Sequence, residues 1–215
     1  MRRNARGAGE ACTYHSRMLA PLARIVLDFW FLPQGASADA PLAIPVERDE
    51  WFRKDAAFDA RIREGFGTAI AAAVAGAFGE WCGEPRGSLA RVLLLDQFTR
   101  NVGRDTPLAF AGDARALATA RDAIERGFDR QLGRYERWFL YMPFEHSESM
   151  PDQEQSVALF ERLASDTGLH ETVDWAKRHA DVVRRFGRFP HRNAILGRES
   201  TAAEIEFLHQ PGSRF

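Results

Sequence analysis

The run Leu-Leu-Leu-Asp-Gln-Phe-Thr-Arg-Asn at 93–101 constrains this chain most. With Leu89 and Val92 before it, it makes a helix of about 87–101 that is apolar around its whole circumference. Such a helix has no face for water and belongs at the centre of a helical assembly. Asp96, Gln97, Arg100 and Asn101 nevertheless interrupt it. At about 100° per residue, Asp96 and Arg100 share the face of Leu89, Val92 and Leu93, with Gln97 and Asn101 on the adjoining flank. Burying such groups costs on the order of several kcal/mol each unless they are paired. Either an Asp96–Arg100 pair fixes helix register, or Arg100 meets a ligand anion while Asp96 orients it.

The rest of the chain reads as helix as well. Its 33 alanines against 16 valines and isoleucines favour helix over sheet. Ile25, Val26, Phe29 and Trp30 mark a first helix of roughly 20–31, stopped before Pro33 by a Gly/Ala/Pro-rich loop to about 47. Phe58, Ile62, Phe66, Ala69 and Ile70 form the face of a second. Thr106-Pro107 predicts the start of a fourth, running to about 126, and 134–142 a fifth that Pro143 stops or kinks. Pro151 opens a sixth, Gly168 separates a seventh ending at Gly187, and Thr201 with Glu204 caps a last short one. About eight helices in antiparallel pairs, without a strand hairpin, define an all-α domain over 18–215, either a helical repeat or an irregular bundle. Residues 1–17 read as a flexible tail.

Bulk charge excludes several classes. A formal net charge of -1 gives no bias toward nucleic acid or an anionic membrane, and no basic face is continuous. Of the 29 basic residues, 27 are arginine, which leaves only Lys54 and Lys177 for Schiff-base chemistry, both far from the polar clusters in sequence. Cys12 and Cys82 stand alone, which argues against a disulfide scaffold or zinc ribbon and fits a cytoplasmic protein. No stretch is apolar enough to span a membrane.

Two further clusters carry chemistry. Glu145-His146-Ser147-Glu148 follows the Pro143 break, where the backbone is free to gather two carboxylates and an imidazole as acid, base and orienter. Glu148 and Asp152 have a simpler explanation beside the next helix N-terminus. In the third cluster His179 shares a face with Trp175, Val182 and Phe186, as a satisfied core histidine would. Arg185, Arg188, His191, Arg192 and Asn193 then crowd around Gly187 and Pro190, interleaved with Phe186 and Phe189. Guanidinium forks held by an aromatic-anchored loop suit carboxylate or phosphate. The five tryptophans read as packing residues.

These segments, with Leu-Asp-Phe-Trp-Phe at 27–31, Phe-Leu-Tyr-Met-Pro-Phe-Glu-His-Ser-Glu at 139–148, Asp152-Gln153 and Leu-Gly-Arg-Glu-Ser-Thr at 196–201, resemble the DUF924 family over about residues 22–208. The resemblance implies a tetratricopeptide-like all-α fold in a bacterial protein and no established activity. Thr99 and Ala202 stand where the family has proline, changes of helix and loop geometry.

The sequence thus predicts an internal polar pocket for a small anion. Glu145, His146 and His191 are the reactive groups, and Asp96, Gln97, Arg100, Asn101, Arg185, Arg188, Arg192 and Asn193 are the ligand contacts. Acid–base or hydrolytic chemistry fits these groups; the cofactor is left open. Two other readings stand beside it. One is a scaffold that holds a partner peptide, with structural polar clusters. The other is a metal site of Glu145, His146, Glu148 and His179 or His191, though no Glu-x-x-His pair repeats.

Overall fold

A computed structural model describes residues 19–33 and 47–213. The expected tail over 1–17, and most of the loop before residue 47, lie outside the described residues.

Helix α1 (Pro21–Phe31) starts with proline in its first turn. Its last carbonyls are not left bare. Arg48 donates to the carbonyls of Phe29, Trp30 and Leu32 at 2.9, 3.0 and 2.8 Å, and the Trp51 indole donates to Trp30 at 2.9 Å. A cation at a helix C-terminus also meets the negative end of its dipole. Helix α2 (Ala56–Ala75) is capped by Asp55, whose carboxylate accepts from the N–H groups of Ala57 and Phe58.

The apolar run becomes the hub of the molecule. Helix α3 (Pro85–Val92), a π-helical segment (Leu93–Phe98) and α4 (Thr99–Val102) continue one another without a break. Every residue from 92 to 99 is buried. Helices α1 and α2, and further on α5 (Asp113–Glu125) and α6 (Arg134–Glu145), all pack on this rod. Trp30 meets Phe98 of the rod at a tilt and Phe139 edge-on, in one apolar cluster.

Two helix boundaries differ from expectation. The fourth helix was expected to begin at Thr106, but its hydroxyl donates back to the Gly103 carbonyl at 2.8 Å and caps nothing. Residues Pro107–Phe110 form a 3-10 turn, and α5 restarts after Gly112. There a Cβ would lie 2.0 Å from the Leu95 carbonyl oxygen, so only glycine lets α5 abut the π segment. Pro143 does not stop α6 either. The His146 N–H still reaches the Met142 carbonyl at 3.0 Å, and everything from Tyr135 to Glu145 is buried. Tertiary packing outweighs the one backbone bond that proline lacks.

Helices α7 (Met150–Thr167) and α8 (Glu171–Phe186) fold back in turn, each ended by a left-handed glycine, Gly168 and Gly187. On α8 the inward positions belong to Thr172, Ala176, His179 and Val183. Trp175, expected on the face of His179, is instead 47% exposed, with the Arg178 guanidinium 5.1 Å from its ring. The last helix, α9 (Ala202–Leu208), carries the expected reciprocal cap between Thr201 and Glu204. With 85–102 taken as one rod, the described residues hold eight helices and no strand. None of the helices is long and apolar enough to cross a membrane.

Candidate functional site

The π segment brings Asp96 to the junction of four elements. Its wider turns are tied internally: the Thr99 hydroxyl donates to the carbonyls of Leu95 and Asp96 at 2.8 and 3.2 Å. Such π turns recur at functional sites. Asp96 is wholly buried. Its Oδ1 accepts from His146 Nδ1 at 2.7 Å and lies 3.1 Å from Arg100 Nη1. Its Oδ2 accepts from Gln97 Nε2 at 2.6 Å.

Around this pair the charges interlock. Asp113, the first residue of α5, takes Arg100 in a two-pronged bond of 2.8 and 3.2 Å and also receives Arg192 at 3.2 Å. Arg192 donates to the His146 carbonyl at 2.9 Å and lies 4.7 Å from the ring centres of both Phe110 and Phe189. Its Nε is buried and bonds no other described residue. Beside His146, His179 Nδ1 approaches Glu145 Oε1 and the Trp175 carbonyl, both at 2.9 Å.

Residues 187–193 are clamped from behind. Glu148 accepts from the Phe189 N–H at 2.8 Å and holds Arg198 through bonds of 2.7 and 2.9 Å. Arg198 also binds the Asn193 side-chain oxygen at 3.0 Å, and Asn193 donates to the Ser200 hydroxyl at 3.0 Å. Asp152 accepts from Arg121 and from the Ser147 hydroxyl at 2.6 and 2.8 Å. Glu148, Asp152 and Asn193 therefore shape the loops around the network.

The three clusters read from the sequence meet, but not with every residue. Asp96, Gln97, Arg100, Glu145, His146 and Arg192 come together, with half-buried His191 next to Phe189 at 5.7 Å between ring centres. Asn101 turns the other way and donates to Asp59 at 2.7 Å. Arg188 is bound two-pronged to Glu204 at 2.7 and 2.8 Å, and Arg185 stacks on Phe186 and Phe207 outside the loop. Sequence reasoning missed Asp113, hidden inside an expected continuous helix. It also gave His179 a core role without its carboxylate. The set of Glu145, His146, Glu148 and His179 or His191 is not gathered as metal ligands, and no group of three or more His, Cys, Asp or Glu among the described residues is.

Burial and charge set the protonation states. Burial pushes the Asp96 carboxyl up, but the Arg100 cation and His146 overcome this and hold it below the usual carboxylate range. Burial and the Arg100 cation lower the His146 pKa against the pull of Asp96. His146 is thus a neutral imidazole at neutral pH, with its proton on Nδ1 facing the carboxylate. Burial, then Arg192 and His179, drive His191 down to about 3. Arg192 itself is lowered to about 10, first by burial and then by Arg100. By contrast Asp96 and Asp113 raise Arg100 against its burial. Of the two arginines that share Asp113, Arg192 is the one short of counter-charge. Two surface depressions of about 700 and 440 Å³ lie elsewhere, one lined by Glu161, His170 and Asp174, the other by Arg185, Arg188 and Glu204.

The fold and the site define an all-α domain built around a buried carboxylate–histidine–arginine network. The chain belongs to the DUF924 family, bacterial proteins of unknown function, whose model matches residues 26–212. It is similar to a solved structure of a protein of unknown function from Agrobacterium tumefaciens, at 39% identity and a TM-score of 0.74, over 87% of this chain and 97% of that one. No curated protein matches it.

Proposed function

We propose that this protein is an acid–base enzyme acting on a small anion. His146 is the base, Asp96 its orienting carboxylate and Arg192 the anion contact, backed by Arg100. The observation that carries this reading is the 2.7 Å bond from His146 Nδ1 to a fully buried aspartate. It commits the proton to Nδ1 and leaves Nε2, which bonds no other described residue, with an available lone pair. The unpartnered Arg192 Nε and its deficit of counter-charge support an anion arriving beside it. Entry requires the 187–193 loop to lift against its Glu148–Arg198 clasp. A cytoplasmic setting fits the two isolated cysteines.

Calorimetric titration with inorganic phosphate and with malonate tests this. Loss of one charged hydrogen bond is worth about 1.5–3 kcal/mol, so Arg192→Met weakens binding by roughly tenfold or more. Binding that Arg192→Met leaves unchanged contradicts the reading. A second reading, a scaffold for a partner peptide, is favoured by one observation: most charges of the network are matched internally, while the open depression lies along α7 and α8. It predicts that neither anion binds and that Arg192→Met only lowers stability.

A further inference from the structure

Arg185 and Arg188 are the two arginines of the third sequence cluster that the buried network leaves out. Both line the surface depression of about 440 Å³ between the end of α8 and the start of α9, together with Phe186, Thr201, Ala203 and Glu204. Small-molecule sites occupy about 300–1,000 Å³, so the space suits one small ligand. Glu204 is buried, and both its oxygens are engaged. Oε1 accepts from Arg188 Nε at 2.7 Å, and Oε2 from Arg188 Nη2 at 2.8 Å and the Thr201 N–H at 2.7 Å. Arg188 Nη2 also donates to the Glu199 carbonyl at 2.8 Å. The Arg188 fork is thus fixed along one edge, while its Nη1 donates to no described residue.

Arg185 is placed by stacking instead. The centre of its guanidinium lies 4.6 Å from the Phe186 ring and 5.8 Å from the Phe207 ring, two rings that meet at 5.1 Å. It is exposed, and among the described residues it has no ion pair. Stacking occupies the face of a guanidinium and leaves its edge, which carries the N–H groups, for an oxyanion. A cation in the last turn of α8 also answers the helix dipole, but the preceding Arg184 serves there too and is bonded to Asp181. The charge of the lining decides the ligand class. Two guanidiniums stand against one carboxylate, a net charge of +1. The bonds from Arg188 lower Glu204 to about 2, so this balance holds at neutral pH. A monoanion matches it, whereas a dianion leaves excess negative charge beside Glu204.

We propose that this depression binds a small monocarboxylate with an apolar body. Its carboxylate meets the Arg185 edge and Arg188 Nη1, and its body lies along Phe186 and Ala203. Arg185 is the principal counter-charge, because Glu204 already matches Arg188. The site is separate from the His146 network and does not rest on it.

Nitrogen-15 NMR of the full chain titrated with benzoate tests the assignment. Saturable shifts are expected at the backbone amides of Phe186, Arg188, Thr201 and Ala203. Benzamide, of the same shape without the charge, is expected to leave them in place. Loss of one charged hydrogen bond weakens binding by roughly tenfold or more, which is the effect expected of Arg185→Gln. Arg184→Gln, one residue away and outside the lining, is expected to leave the affinity unchanged. Both variants alter exposed side chains, and the same spectra report that the fold is kept. An absence of saturable shifts with benzoate, or equal shifts with benzamide, overturns the proposal on the wild-type chain alone. Equal losses in the two variants overturn it as well, since they mark a diffuse basic surface. Inorganic phosphate that displaces benzoate at equal concentration overturns the monocarboxylate class.

Discussion

Asp96 shows what a single buried charge demands of its neighbours. It satisfies an imidazole, a guanidinium and an amide at once, each from a different direction. Removing it leaves Arg100 and His146 facing each other without their shared anion. Breaking a buried pair in this way costs about 3–5 kcal/mol. Asp96→Ala is therefore expected to lose that much stability in urea denaturation, and a loss below about 1 kcal/mol would mean that water replaces the carboxylate. At this scale the sequence was informative where residue type and spacing suffice. The Asp96–Arg100 pair follows from four-residue spacing on a helix, and the structure places it at 3.1 Å. Asn101 carried the same polar signal, but its direction depends on Asp59 of α2, forty-two residues away, which no local pattern encodes.

Between residues and molecule stand the elements, and two of them decide the site's shape. The π segment aims Asp96, and the start of α5 aims Asp113 at Arg100. Both depend on Gly112, because any side chain there collides with the Leu95 carbonyl. Overpacking typically costs about 1–3 kcal/mol, and a backbone oxygen cannot swing aside as a side chain can. Gly112→Ala is expected at or above the top of that range, by thermal unfolding, with the Arg100–Asp113 bond lost. A neutral substitution would show that α5 slides freely along the rod. Apolar periodicity revealed most helices to within a residue or two, because burial of one face is a local signal. The break at Gly112 and the passage through Pro143 were not legible. Each is settled by packing against a distant segment, which overrides the preference of the residue itself.

At the scale of the whole molecule, the network makes the fold sensitive to acid. His146 and His191 are held neutral, with His191 at about 3, and Arg188 with the Thr201 N–H lowers Glu204 to about 2. The unfolded chain binds protons near the ordinary values, about 6.5 for histidine and 4.3 for glutamate. Between those values and the depressed ones the unfolded state holds more protons, so stability rises with pH. It is fully present above about pH 6.5, falls from there toward pH 3 as the histidines demand protons, and loses the Glu204 contribution between about pH 4.3 and 2. Urea midpoints measured across this range should fall continuously below pH 6.5. A flat profile down to pH 4 would contradict the neutral state of these two histidines. The all-α architecture and its central rod were legible from composition and one apolar run.

A crystal structure of the protein with inorganic phosphate tests the central claim most directly. The account predicts phosphate density within hydrogen-bond reach of Arg192 Nε and His146 Nε2, with the 187–193 loop displaced. Phosphate seated only in the outer cleft of Arg185 and Arg188, or an undisturbed network with no bound anion, would contradict it.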